Sequence, residues 1–297
     1  TEHTKHQSVP IRYDQRLEPS TDDDERCDAH LYKSIVGTMV FSVVSVRADA
    51  AEAVRELSKF LYDPSVTHMT EAMKCLAYLV QTKDKGITYE HGDCVGVHGE
   101  LVPNGTVEMF TDASFADDVR TRISTSGYAA VKNRAVVTWG SKSQSKVALS
   151  TGEAELRALC RAYAEVKWLR KLQFIFSDHT VRSKTLEENE EALPPTTIWE
   201  DNKSTISWVK NPVAHDKLKH IDVPLKALRE AQTEHYSVNI KFISTHHQLA
   251  DGMTKALTPA LHYKVMAPLL NWRSTSGIRT TGAAAAAFCR EAPRRRC

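Results

Sequence analysis

The chain has 297 residues, 41% of them apolar and 26% charged, with a formal net charge of +2. This is the composition of an ordinary globular protein with room for one or two domains, and its near-neutral charge neither requires nor excludes a nucleic-acid partner, since a local basic patch is enough. The longest apolar run, Ile35 to Val46, has 12 residues, short of the roughly 20 that cross a bilayer, so no membrane partner is expected. The six cysteines form no CxxC pair, and the opening TEHTKHQSVP lacks the apolar centre of a secretory signal. Reduced, intracellular thiols are the expectation.

In chain order, residues 1–26 are polar and end near the acidic run TDDDE, which reads as a loose lead-in. Residues 28–83 read as helices. Leu57, Phe60 and Leu61 share one face, as do Met73, Leu76, Ala77 and Val80, and Pro64 separates two helices. Residues 84–106 carry five glycines and a proline, the signature of turns and a linker. Three strand-like runs follow, VEMFTDA, GYAAVKN and AVVTWGS, and their short links favour an antiparallel meander. A helix over about 151–174 carries the stripe Leu156, Leu159, Tyr163, Val166 and Leu169. EENEEALPP reads as a loop, TTIWE as a strand, NKSTISWVK as a short helix and KHIDVPLKALREAQ as another. SVNIKFIST is the last strand and QLADGMTKAL a closing helix. Strands alternating with helices add parallel members, so the class is α/β, a mixed sheet with flanking helices.

Four carboxylates stand in four such contexts: Asp112 at the end of a strand, Glu153 at the start of the long helix, Asp201 after a strand, and Asp251 near the last helix. Carboxylates gathered from distant elements are what two divalent ions need to cut a phosphodiester. Each residue also has a plain structural reading. Ser150 and Glu153 fit a capping box, Asp201 a helix cap, Asp251 a helix-dipole partner and Asp112 a strand-ending turn. On a helix Glu155 points ~160° away from Glu153, so only one of the two faces the sheet.

The segments FTDASFADD, TRISTSGYAAV, VTWGSKSQSKVALSTGEAEL, WLRKL, IWEDNKSTISWVKNP, KHIDV and QLADGMTK resemble the ribonuclease H domain of copia-type LTR retrotransposon polyproteins. YKSIVGTMVF, LSKFLYDPSVTH, LAYLVQT and KDKGITYE resemble the end of the reverse transcriptase and its connection. The resemblance implies a ribonuclease H-like five-stranded sheet of order 3-2-1-4-5. It implies a connection or thumb-like helical segment at 27–90 and the ribonuclease H-like domain at 107–271, while composition alone suggests a flexible lead-in at 1–26, a linker at 91–106 and, outside the resemblance, a disordered basic tail at 272–297. It also implies hydrolysis of the RNA strand of RNA–DNA hybrids by two Mg²⁺ ions, or Mn²⁺, held by Asp112, Glu153, Asp201 and Asp251. Of Glu153 and Glu155, it selects Glu153.

Ser124, Ser126, Lys142, Gln144 and Asn202 are the implied nucleic-acid contacts, with hydroxyls reaching the 2′-OH and cations the phosphates. His246 or His247 is a further catalytic candidate, against the reading as exposed loop histidines. His215 and His220 match an HxxxKH element, and the absence of a nearby cysteine pair argues against zinc. The implied partners are the hybrid and the upstream reverse transcriptase of the same polyprotein. The implied locations are the cytoplasm, in a virus-like particle, and the nucleus. No YxDD context occurs, so polymerisation by this chain is not expected. A decayed, inactive remnant is the alternative. A transposase or integrase would carry its glutamate last, whereas here a glutamate comes second.

Overall fold

The computed structural model describes residues 6–14, 16–95, 100–177, 193–211 and 222–272. The basic tail beyond 272, the HxxxKH element and most of the acidic loop lie outside them. Two compact units emerge: one of residues 1–105, 132–136 and 255–297, the other of 106–131 and 137–254.

The first unit is helical. It contains α1 (Ala29–Ser45), α2 (Ala51–Ser58), α3 (Val66–Gln81) and, from the far end of the chain, α7 (Pro259–Leu270). Asp28 caps α1 by accepting from the backbone N–H groups of His30 and Leu31, and Ser65 with His68 forms a capping box on α3. The buried face of α3 is Ala72, Cys75, Tyr78 and Leu79, while Val80 is 61% exposed. The apolar positions are dense enough to trace two stripes, and packing selects the one that includes the small residues.

The polar lead-in is not loose throughout. Cys27 N–H donates to the Pro64 carbonyl and Val66 N–H to that of Glu25, His68 Nε2 contacts the Glu18 carbonyl at 2.9 Å, and Arg26 pairs with Asp63. Backbone pairing to the start of α3 orders a segment whose composition predicts disorder. Asp49, buried, is held by Arg47 at 2.7 Å and by the Tyr78 hydroxyl at 2.6 Å. Within the linker, β1 (Cys94–Val95) and β2 (Leu101–Val102) form a small antiparallel ribbon.

The second unit is built on a five-stranded sheet of β3 (Val107–Ser114), β4 (Thr125–Lys132), β5 (Ala135–Ser143), β6 (Thr196–Glu200) and β7 (Val238–Phe242). The strand order is β5-β4-β3-β6-β7, which is the expected 3-2-1-4-5. β4 and β5 are joined through Asn133 and Arg134, both at positive φ (51° and 66°), the conformation of a two-residue antiparallel hairpin. The 115–124 link between β3 and β4 is shorter than the crossover of about a dozen residues that a parallel neighbour needs. β6 lies parallel to both β3 and β7. The result is a mixed α/β sheet of ribonuclease H-like order.

α4 (Thr151–Ser177), α5 (Lys203–Lys210) and α6 (Asp222–Thr233) accompany the sheet. The core joins Val107, Met109 and Ile198 of the strands to Leu156, Leu159 and Val166 of α4 and to Leu225 and Leu228 of α6. A second cluster of Ala113, Ala148, Ala154 and Ala158 has side chains too small to hold α4 away from β3. The expected closing helix over QLADGMTKAL is a 3-10 turn at Leu249–Met253, separate from α7. Its Gln248 side chain accepts from Ala250 N–H and donates to the Thr111 carbonyl, and Gly252 disfavours a continuous helix.

Candidate metal centre

β3, β6 and α4 bring three carboxylates to one end of the sheet. One oxygen each from Asp112, Glu155 and Asp201 lies within 4.8 Å of the other two. Asp112 is carried by the central strand and is buried. Its carboxylate accepts from the Thr254 hydroxyl. Asp201 follows β6 directly, is partly exposed, and accepts from the Thr245 hydroxyl at 2.8 Å. Glu155 reaches the pair from α4, where the alanine cluster lets the helix approach, and it accepts a backbone hydrogen bond from Ala113.

The electrostatics are those of crowded anions. Burial, then the charges of Glu200, Asp112 and Asp201, raise the Glu155 carboxyl far above its ordinary value. Glu200, fully buried, is raised in the same direction, chiefly by burial and then by Asp201 and Asp112, against one favourable hydrogen bond from Asn202 N–H. One oxygen of Glu155 and one of Glu200 are buried without a hydrogen bond. Oxygen-only donors at this spacing suit a hard divalent cation such as Mg²⁺ or Mn²⁺, and such an ion would offset the repulsion. The residues present therefore fit a hard divalent cation.

Glu153 is not brought to this cluster. Its carboxylate accepts from Arg157 at 2.7 Å and from Leu149 N–H at 2.9 Å, while its own N–H donates to Ser150 Oγ. It closes the N-terminal turn of α4, and the helix phase that gives it this task turns Glu155 to the sheet. Of the two glutamates, the structure brings Glu155 and not the expected Glu153 to the convergent carboxylates. Asp251 is buried in the 3-10 turn and is not one of the three convergent carboxylates. Its carbonyl accepts from the Thr254 N–H and hydroxyl, which ties its turn to Asp112. Glu200, which strand alternation assigns to the face opposite Asp201, acts by its charge on Glu155.

The expected nucleic-acid contacts divide. Ser124, Ser126 and Gln144 are buried and occupied internally: Ser124 Oγ accepts from Ala116 N–H, and the Gln144 amide donates to Ser126 Oγ and to the Ala154 carbonyl. Through Gln144 this network ties the sheet end to α4. Lys142 is exposed and Asn202 partly so. Asn202 caps α5 by accepting from Ser204 and Thr205 N–H. Arg120, Arg122, Lys146 and Lys203 are exposed cations of the same unit. His246 and His247 lie in a 3-10 turn, neither of them buried, and His247 N–H donates to the Ser244 carbonyl.

No protein-family model matches the chain. It is 29% identical over 227 residues to the retrovirus-related Pol polyprotein from transposon RE1 of Arabidopsis thaliana, a match covering 76% of this chain and 14% of that protein. It is 30% identical over 248 residues to the retrovirus-related Pol polyprotein from transposon TNT 1-94 of Nicotiana tabacum, covering 83% and 17%. It is 39% identical over 140 residues to secreted RxLR effector protein 161 of Plasmopara viticola, covering 46% and 90%. The chain thus spans less than a fifth of the Pol polyproteins it matches. Among solved structures, the N-terminal ribonuclease H domain of rv2228c from Mycobacterium tuberculosis aligns with a TM-score of 0.36 and 13% identity, over 51% of this chain and 91% of that one. Among the described residues no helix is long and apolar enough to cross a membrane.

Proposed function

We propose, from the chain's homology to retrovirus-related Pol polyproteins and from its convergent carboxylates, that it is a divalent-cation-dependent ribonuclease of retrotransposon type that hydrolyses the RNA strand of RNA–DNA hybrids. The observation that carries this reading is the meeting of Asp112, Glu155 and Asp201 within 4.8 Å at the end of a mixed sheet. Asp112, Glu155 and Asp201 would hold the cations, with Asp251 on the adjoining turn. Bound there, divalent cations would supply Lewis-acid stabilisation of the phosphoryl oxygens and a more acidic water.

The chain's own side chains prepare the site. Thr254 and Thr245 fix the rotamers of Asp112 and Asp201 by donating to their carboxylates, so the anionic oxygens are positioned before substrate arrives. Lys142 and the other exposed cations of the unit supply sequence-independent attraction to phosphates, which positions a duplex without reading bases. In this reading the substrate is the hybrid made by the reverse transcriptase of the same polyprotein, in a cytoplasmic particle or in the nucleus.

The test is cleavage of an RNA–DNA hybrid with Mg²⁺ and with EDTA, beside duplex DNA of the same sequence. Cleavage of the RNA strand alone, lost in EDTA and lost in Asp201→Asn, is the expected result. Equal cutting of duplex DNA would replace the reading with a general nuclease, and no cutting by folded wild-type protein would favour an inactive remnant.

A further inference from the structure

Glu200 ends β6 and is 0% exposed. One carboxylate oxygen accepts from Asn202 N–H at 3.1 Å, and the other is buried without a hydrogen bond. The charges that bear on it are those of Asp201 and Asp112, and its own charge acts on Glu155. A carboxylate out of water, half-satisfied and facing other carboxylates, is costly unless something positive neutralises it. Among the described residues no ion pair neutralises it, and it stands next in the chain to Asp201, one of the three carboxylates that converge on the candidate cation site.

We propose that Glu200 is a further carboxylate of the cation site, supplying charge and an acceptor oxygen beside Glu155 without being one of the three convergent ligands. The inference rests on the proposed divalent-cation reading of that site and extends it to a residue which the motif does not include. Groups that support metal ligands from behind alter affinity by roughly 10–100-fold when removed. Glu200 is a positioning residue in this sense, so its effect is read in cation binding rather than in turnover alone.

The experiment is Mn²⁺ titration of the full chain, followed by calorimetry and by the paramagnetic signal of free Mn²⁺, on wild type, Glu200→Gln, Glu200→Ala and Asp112→Asn. Thermal melts are run with and without Mn²⁺. Glu200→Gln keeps the acceptor for Asn202 and removes only charge; Glu200→Ala serves if the amide is not tolerated. The expected result is Mn²⁺ binding weakened roughly tenfold in the Glu200 variants and lost in Asp112→Asn, with metal-free melting temperature unchanged or raised and the Mn²⁺-induced increase reduced. Wild-type Mn²⁺ affinity in folded Glu200 variants, with binding lost in Asp112→Asn, overturns this inference and leaves the site reading standing. Failure of folded wild type to bind Mn²⁺ overturns both.

Discussion

The Thr254 hydroxyl donates a hydrogen bond to the Asp112 carboxylate across 142 positions of sequence. Both groups are buried. The bond joins the central strand to the turn that carries Asp251, so the placement of one acidic residue is set through the neighbour of another. Thr254→Val keeps shape and removes the donor. A buried hydrogen bond to a charged group is worth about 1.5–3 kcal/mol, so the variant should lose stability of that order in urea unfolding and cleave hybrids about tenfold more slowly. Thr254→Ser should retain most of both. Wild-type cleavage by the valine variant would show that Asp112 needs no such support.

Glu153 and Glu155 should separate by assay. Glu155→Gln is expected to abolish hybrid cleavage while metal-free stability holds or rises, because one of several mutually repelling anions is gone. Glu153→Gln is expected to cleave at a near-normal rate and to lose about 1–2 kcal/mol, since a buried carboxylate leaves Arg157 and Leu149 N–H with a weaker acceptor. Parallel melts and cleavage assays decide the matter; the reverse pattern would return the catalytic assignment to Glu153.

The pH dependence of the metal-free chain follows from the Glu155 carboxyl. Burial and then Glu200, Asp112 and Asp201 hold it above its ordinary 4.5 in the folded state. The folded state therefore binds more protons than the unfolded state above that pH, and stability falls as pH rises. Its contribution is fully present below about pH 4.5 and declines through neutral pH toward the raised folded value. Melting temperature measured in EDTA from pH 5 to 9 should fall more steeply for wild type than for Glu155→Gln. Added Mg²⁺ should flatten or reverse the slope, because the ion binds the ionised carboxylates. Parallel pH profiles for the two proteins in EDTA would remove Glu155 from this account.

Gly127 on β4 faces the same turn. A Cβ there would lie 2.5 Å from Thr254 Cγ2 and 2.8 Å from Met253 Cβ. Gly127→Ala should cost about 1–3 kcal/mol by overpacking, and it should slow cleavage by moving Thr254 from Asp112. Denaturant midpoints and initial rates check it. An alanine variant with wild-type values for both would mean that the turn yields freely.

Much of the architecture was legible. Alternation marked the strands, the leucine stripe marked α4, and the 3-2-1-4-5 order followed from the family likeness. Two features needed three dimensions. The four polar side chains Ser124, Ser126, Gln144 and Glu153 sit in motifs that suggest ligands, and in the structure all are buried and each makes a hydrogen bond within the fold. Glu155, in contrast, was within reach. At ~100° per residue it lies about 40° from the centre of the Leu156–Leu159–Tyr163–Val166–Leu169 stripe, and Glu153 about 120°. Because that stripe faces the sheet, the sequence already favoured Glu155, and the motif match outweighed it. Glu200 was hidden by strand alternation, which assigns faces but says nothing about a residue at the last position of a strand.

The azimuth of α4 has an evolutionary consequence. Glu155 sits early in a helix of 27 residues whose later turns fix its rotation through Leu159 and Val166. Inserting or deleting one residue between Glu155 and that anchor would rotate the glutamate by ~100° and carry it off the carboxylate cluster, although the helix itself would still pack. Length variation within 155–159 is thus far more damaging to the carboxylate cluster than most substitutions there.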